Sequence, residues 1–335
     1  QEFKVFRNQF DAEYGSALAA VVSVVTKSGT NAFTGTLSYF GRDKALNGKN
    51  YFATGEKPPF DQTRVGGTVG GPVLRNRTHF FASYERNDLN TVKIIALPAN
   101  NPFAATNNGE FPSGSQNTVA TAKVDHRLSD SNSLFARWAY DDQYATRTGN
   151  TTADSRQVND YSHMQSVIVE DNAVLSKAMV NTVRFQFMNH DLGTVPNSFD
   201  LSIARPSASF GQDTTVPQDF PRQRYQVFDT FYVNSPAHDL KFGGDFEFAH
   251  HEYDAHFFQA GYFQFGTDLP FDVNNRTTWP ISFTMQTPGH WQFDSKAVNT
   301  FVDDTWRLAD RLRLNLGVRY HFDADLRLSD FYNSL

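Results

Sequence analysis

The sequence predicts an all-β fold: an antiparallel up-and-down transmembrane β-barrel. Three observations support this. Apolar and polar residues alternate with a period of two along many stretches. Short turns and long connections succeed one another regularly. The composition is rich in aromatic residues but lacks long apolar runs. Among 335 residues there are 32 Phe and 13 Tyr against 4 Met, a bias toward residues that favour strands. Mean hydropathy is −0.50, and no stretch reaches the apolar length that a bilayer-spanning helix needs. That excludes a helical membrane protein but not a barrel, whose alternating strands dilute the hydropathy signal.

The first element, AEYGSALAAVVSVVTKSGTN at residues 12–31, departs from the pattern. Its VVSVV run is the least alternating β-like stretch in the chain, as expected for a strand covered on both faces. From Phe33 onward the alternation is clean. In LKFGGDFEF, Leu240, Phe242, Phe246 and Phe248 share one face, while Lys241, Asp245 and Glu247 share the other. In RLRLNLGVRYHF, Leu312, Leu314, Leu316, Val318, Tyr320 and Phe322 lie opposite Arg311, Arg313, Asn315, Arg319 and His321. Residues 133–142 and 181–190 behave in the same way.

The connections complete the pattern. Turn-like LRNR, SDSN, SKA, SPA and LAD, at 74–77, 129–132, 176–178, 235–237 and 308–310, each separate two strand-like runs. Between those hairpins lie long polar connections near 42–61, 88–117, 143–162, 191–222 and 251–294. The expected count is about eleven strands of roughly ten residues each. A soluble sandwich gives no reason for one end always to be short. An outer-membrane barrel does, with short periplasmic turns and long extracellular loops. Charges on the second face, Lys241, Asp245, Glu247, Arg311, Arg313 and Arg319, cannot sit unpaired in a dry core and imply a wet or polar-filled lumen.

Composition also narrows the chemistry. A net charge of −6 gives no nucleic-acid footprint. With no Cys there is neither a disulfide framework nor thiolate chemistry. GTVGGP at residues 67–72 lacks the Lys-Ser/Thr and the helix of a phosphate loop, and close packing of a strand explains it better. No catalytic constellation is present, so the expectation is a non-enzyme without a cofactor.

The opening FKVFRNQFDAEYGSALAAVVSVVTKSGTN resembles the end of the plug domain of TonB-dependent outer-membrane receptors. The KSGTN ending followed by F-x-G is similar to the Oar-like (OmpA-related) branch, as are RVGGTVGGPVLRNRTHFFASYE and FVDDTWRLADRLRLNLGVRY. Ala19-Ala20 stands where the family usually has Gly-Gly, so the local turn is open to question. The resemblance implies a barrel of about 22 strands around a plugged lumen. On this basis residues 1–30 are expected to end the plug, and residues 31–335 to form the N-terminal part of the barrel, about half of it. The junction motif is Tyr14, Gly15, Lys27, Ser28 and Gly29, and the TonB-contacting segment is expected to lie outside this chain.

Two further groups merit attention. The aromatic loop bearing Tyr262, Phe263, Phe265 and Trp279 suits ligand contact, although the same rings serve equally well to pack the loop. His250, Glu252, Asp254 and His256 fall on one face of an extended strand and form an N/O set for a transition metal, against the plainer reading of a solvated strand tip. The function implied by the resemblance is a cell outer-membrane receptor that binds an extracellular solute, such as a siderophore, glycan or peptide, and imports it with energy from the TonB complex. Its other surroundings are outer-membrane lipid. The competing reading is a surface protein of the same fold serving adhesion, surface organisation or export.

Overall fold

A computed structural model describes residues 2–7, 11–15, 20–49, 51, 56–147 and 153–324. Two strands come first, β1 (Glu2–Arg7) and β2 (Ala20–Val25), which pair only with each other. The large sheet begins with β3 (Thr34–Asp43), β4 (Asp61–Leu74), β5 (Thr78–Ile95), β6 (Gly109–Arg127), β7 (Asn132–Arg147), β8 (Val158–Ser176) and β9 (Met179–Pro196). Short strands β10 (Ser202–Arg205), β11 (Ala208–Phe210) and β12 (Gln218–Asp219) follow. The chain continues through β13 (Arg222–Asn234), β14 (His238–Ala255), β15 (Tyr262–Phe265), β16 (Pro280–Thr284), β17 (Gly289–Ala309) and β18 (Leu312–Asp323).

Every strand pair in the large sheet is antiparallel, and the order from β3 to β18 follows the chain. β12 and β13 run in line between β9 and β14, so the twelve strands of this sheet occupy eleven positions. This is the up-and-down order that alternating turns and loops predict. Short turns join β4 to β5, β6 to β7, β8 to β9, β13 to β14 and β17 to β18. Among the described residues, β3 and β18 are the sheet's two edges. No described helix is long and apolar enough to cross a membrane.

The strands are longer than expected. β3 has 10 residues, but β5 has 18, β6 has 19 and β17 has 21. Bilayer crossing needs only about ten residues, so these strands continue past the membrane on the long-loop side. There the outward face turns polar while the backbone pairing goes on. The expected loops are correspondingly shorter, and 88–95 and 109–117 belong to β5 and β6.

Residues directly opposite in antiparallel strands share a face, so the register assigns both surfaces. Phe246 lies opposite Val227 and Val298, and Phe242 lies opposite Phe231 and Val302. These positions form an exposed apolar outer surface, with Phe246 47% and Val302 50% accessible. A different row runs along the inner face: Asp125, Phe135, Glu170, Arg184, Phe228, Asp245, Asn299 and His321, each opposite the next. Glu170 is buried and ion-paired to Arg184. Asn299 donates to the buried Asp245 at 2.9 Å. The wet, charged inner face inferred from the alternation is thus a laterally bonded polar ladder. Glu247 joins it through Arg224 at 3.8 Å, whereas Arg311 sits in the turn before β18 rather than on the strand.

The two longest connections make a second sheet on the long-loop side, in the order β11-β10-β15-β16. Its β10–β15 pairing is parallel, which becomes possible because the two strands come from separate loops.

Candidate functional site

The N-terminal segment crosses the hollow of the large sheet and touches walls that lie far apart in it. At one end, the Asp303 carboxylate on β17 accepts the backbone N–H groups of Ala12 at 2.9 Å and Glu13 at 3.1 Å. Lys241 on β14 donates to the Glu13 carboxylate. Arg319 on β18 donates to the carbonyls of Ala12 (3.3 Å) and Glu13 (3.0 Å), and its guanidinium lies 3.4 Å from Asp245. At the other end, Lys123 on β6 donates to Ser28 Oγ at 2.8 Å and also holds Asp125 at 2.8 Å. Every one of these contacts is polar, and most are charge-assisted, a bond class stronger than a neutral hydrogen bond.

The expected junction residues divide between several roles. Tyr14 stacks on Phe6 with ring centroids 5.6 Å apart, and burial, reinforced by Asp11, pushes its hydroxyl pKa up. Gly15 faces the Arg319 guanidinium so closely that a Cβ would collide with it. Ser28 accepts from Lys123, and Gly29 lies against the backbone carbonyls of Phe80 and Gly71, where no Cβ fits. Lys27 is exposed and takes no part in these bonds. Asn31 completes the hand-off into β3: its Oδ1 accepts from the Asn76 backbone N–H at 2.7 Å, in the short β4–β5 turn. Ala19 falls outside the described residues, so the Ala19-Ala20 turn does too.

The sequence pattern put Lys241 and Arg319 on the inner face but gave no partner for either, and it missed Asp303 altogether. Its signal was the parity of FVDDTW, where Asp303 and Asp304 must face opposite ways.

The outer loops form a bonded cluster. Arg156, in a 3-10 turn after β7, donates to Ser202 Oγ at 2.6 Å and to the Gln212 carbonyl, and faces Asp213 at 3.6 Å. Burial pulls its guanidinium pKa down. The four loop aromatics behave differently from one another. Phe263 packs on Phe283 at 4.6 Å, Tyr262 on Phe258 at 5.8 Å, and Phe265 lies under Arg205 at 4.1 Å. Trp279 remains 42% accessible, and Ile281, Phe283 and Met285 follow it with the same parity, all exposed.

The histidine set is not brought together. His250 Nδ1 donates to Asp294 at 2.7 Å, and its Nε2 reaches Glu252 at 3.3 Å. Asp254 instead pairs with His290 at 2.6 Å, and His256 lies beyond the end of β14. Among the described residues no group of three or more His, Cys, Asp or Glu is arranged to hold a metal ion. Alternate residues on a strand stand almost 7 Å apart, and cross-strand carboxylates and imidazoles satisfy these groups first.

A family model described as "Outer membrane beta barrel domain" matches residues 25–121 and 88–331. The chain belongs to that family. It is accordingly a protein of the cell outer membrane, and its inner and outer faces are those of an outer-membrane barrel wall. Over 91 residues, 25% of this chain and 9% of the relative, it is 26% identical to the TonB-dependent transporter Oar of Myxococcus xanthus. Among solved structures, it superposes on the outer membrane transporter YddB from Escherichia coli with a TM-score of 0.71 at 12% identity, covering 95% of this chain and 42% of that one. The siderophore receptor PirA from Acinetobacter baumannii gives a TM-score of 0.60 at 13% identity, with 96% and 43% covered. These likenesses show the fold of a TonB-dependent receptor barrel, and this barrel chain spans less than half the length of each of those structures.

Proposed function

We propose that the chain is part of a TonB-dependent outer-membrane receptor, in which residues 1–30 end the plug and residues 31–335 supply about half of a barrel of roughly 22 strands. The observation that supports this most is the way the N-terminal segment is attached. It has its own two-stranded sheet, and it meets the wall through Asp303, Arg319, Lys241 and Lys123. Charge-assisted hydrogen bonds that water can replace contribute about 1–3 kcal/mol each, so such an attachment holds a plug at rest yet yields bond by bond to pulling. An apolar seam would not let go in this way. In this reading an extracellular solute binds the outer loops and the upper lumen, the TonB complex displaces the plug, and the protein contributes binding and gating rather than bond chemistry.

The test is growth and uptake in a deletion strain across candidate solutes: siderophores, glycans and peptides. A specific uptake defect restored by the full protein is expected. Normal uptake of every solute, together with altered adhesion, would overturn the import reading. The exposed row Trp279, Ile281, Phe283 and Met285 favours that second reading, a surface protein of the same fold, because an apolar strand face on the outer side suits a macromolecular contact.

A further inference from the structure

Arg222, at the start of β13, lies on the inner face directly between His190 on β9 and His251 on β14. It sits above the apolar outer band, which ends at Phe187 on β9 and Phe248 on β14. Among the described residues its guanidinium has no ion pair and no side-chain hydrogen bond, and its Nε is buried without a partner. Of the nearby carboxylates, Glu247 faces Arg224, Asp294 bonds His250 on the opposite face, Glu252 bonds His250 while also lining the pocket, and Asp141 on β7 acts on His190 rather than pairing with Arg222. A guanidinium cannot shed its charge. Arg222 is half-buried, so its fork stays open to solution, and an anion from there can take the charge-assisted bonds that the protein leaves unmade.

The surroundings narrow its shape. Arg222, His190 and His251 line an open pocket of about 520 Å³ together with Phe220, Tyr253 and Phe293. Phe220 stacks on Tyr253 and His251 on Phe293, each pair 4.7 Å apart and within 15° of parallel. Both histidines have Nε2 occupied, by Ser162 at 2.9 Å and Ser295 at 3.2 Å, which leaves each Nδ1 for a ligand. The volume is that of a small-molecule site. A guanidinium fork matches a carboxylate in two parallel bonds, and flat rings favour a flat partner.

We propose that this pocket is the subsite for an aromatic carboxylate, with Arg222 taking the carboxylate, the two imidazoles bonding its edges and the stacked rings holding its ring. The proposal deepens the receptor reading and rests on it, because it gives that receptor's solute a chemical class.

Trp291 stacks on Tyr253 at 5.2 Å, so its fluorescence reports on the pocket. The experiment titrates the full-length protein in detergent micelles with benzoate, benzamide and acetate, using Trp291→Phe to assign the signal. A saturable response to benzoate is expected, with benzamide and acetate at least about tenfold weaker, and Arg222→Gln weakening benzoate by about tenfold or more. Heat-modifiable gel migration checks that each variant has folded. Should Arg222→Gln fail that check, Arg222→Lys keeps the charge, loses the fork and is expected to weaken benzoate several-fold. No benzoate response, acetate binding as tightly as benzoate, or unchanged affinity in the folded variant would each overturn the subsite. Intact uptake without benzoate binding sinks the subsite alone, whereas benzoate binding without uptake of any solute sinks the import reading alone.

Discussion

Asp303, in the barrel wall, accepts the backbone N–H of Ala12 at 2.9 Å, joining residues 291 positions apart in sequence. The same carboxylate takes the Glu13 N–H with its other oxygen, so both of its oxygens hold the segment. Asp303→Asn replaces one acceptor by an NH2 group that meets an N–H head on. The attachment of residues 11–15 is expected to weaken by about 1–3 kcal/mol. Hydrogen exchange at the Ala12 and Glu13 amides should quicken at least about tenfold, and unchanged protection would count against the clamp.

Lys241 and Glu13 are side chains 35% and 17% accessible, so solvent screens part of their attraction. A double-mutant cycle with Lys241→Met and Glu13→Gln is expected to give a coupling of about 0.5–1 kcal/mol, shrinking as salt is raised. A coupling near zero at low salt would show that the pair does not help to hold the segment.

Gly29 and Gly15 both stand where a Cβ has no room, but for different reasons. At Gly29 the obstacles are the Phe80 and Gly71 backbone carbonyls, whereas at Gly15 the obstacle is the end of the Arg319 side chain. Backbone inside a sheet cannot step aside; a guanidinium can. Gly29→Ala is therefore expected to cost about 1–3 kcal/mol of stability in a urea titration, and Gly15→Ala clearly less. The reverse order would be evidence against this account of the junction.

Arg156 ties the β7–β8 connection to Ser202, Gln212 and Asp213. Replacing it by Met leaves Asp213 and the Gln212 carbonyl without their cation. Local destabilisation of the loop cluster by about 3 kcal/mol is expected. It should appear as protease cutting within residues 197–217 while heat-modifiable migration persists. If the loops resist protease as well as wild type does, Arg156 is not their joint.

On the outer face the depth of a substitution should matter. Phe246→Arg is expected to cost about 2–4 kcal/mol of folding into bilayers, and His250→Arg about 0–1 kcal/mol. Equal costs would mean that the apolar outer band is misplaced.

Much of this was legible in the alternation alone. Leu240 through Phe248 showed which side faces lipid, and the five short turns fixed the strand order. Strand length was not legible, because nothing in a period of two marks where lipid ends and water begins. The clamp on Ala12 was half legible: parity turns Asp303 inward, but it cannot say what a residue 291 positions away will bring to it. Composition could not separate Phe263, packed on Phe283, from Trp279, left exposed. The histidines were placed on the right face as far as His250, Glu252 and Asp254. Their cross-strand partners Asp294 and His290 lie some 40 residues onward, and those partners decide what the histidines do.

Those same partners delimit something else. On β14 the outward apolar run from Leu240 to Phe248 is closed by His238, bonded to Asp304 at 2.7 Å, and by His250, bonded to Asp294 at 2.7 Å. From Leu240 to Phe248 the wall rises about 20 Å at the tilt usual for such barrels, and the two bounding polar pairs stand about 30 Å apart. The lipid-facing band lies between those heights, which suits a thin bilayer, as bacterial outer membranes are. A core thicker than that would have to thin locally around this wall or take polar pairs into hydrocarbon.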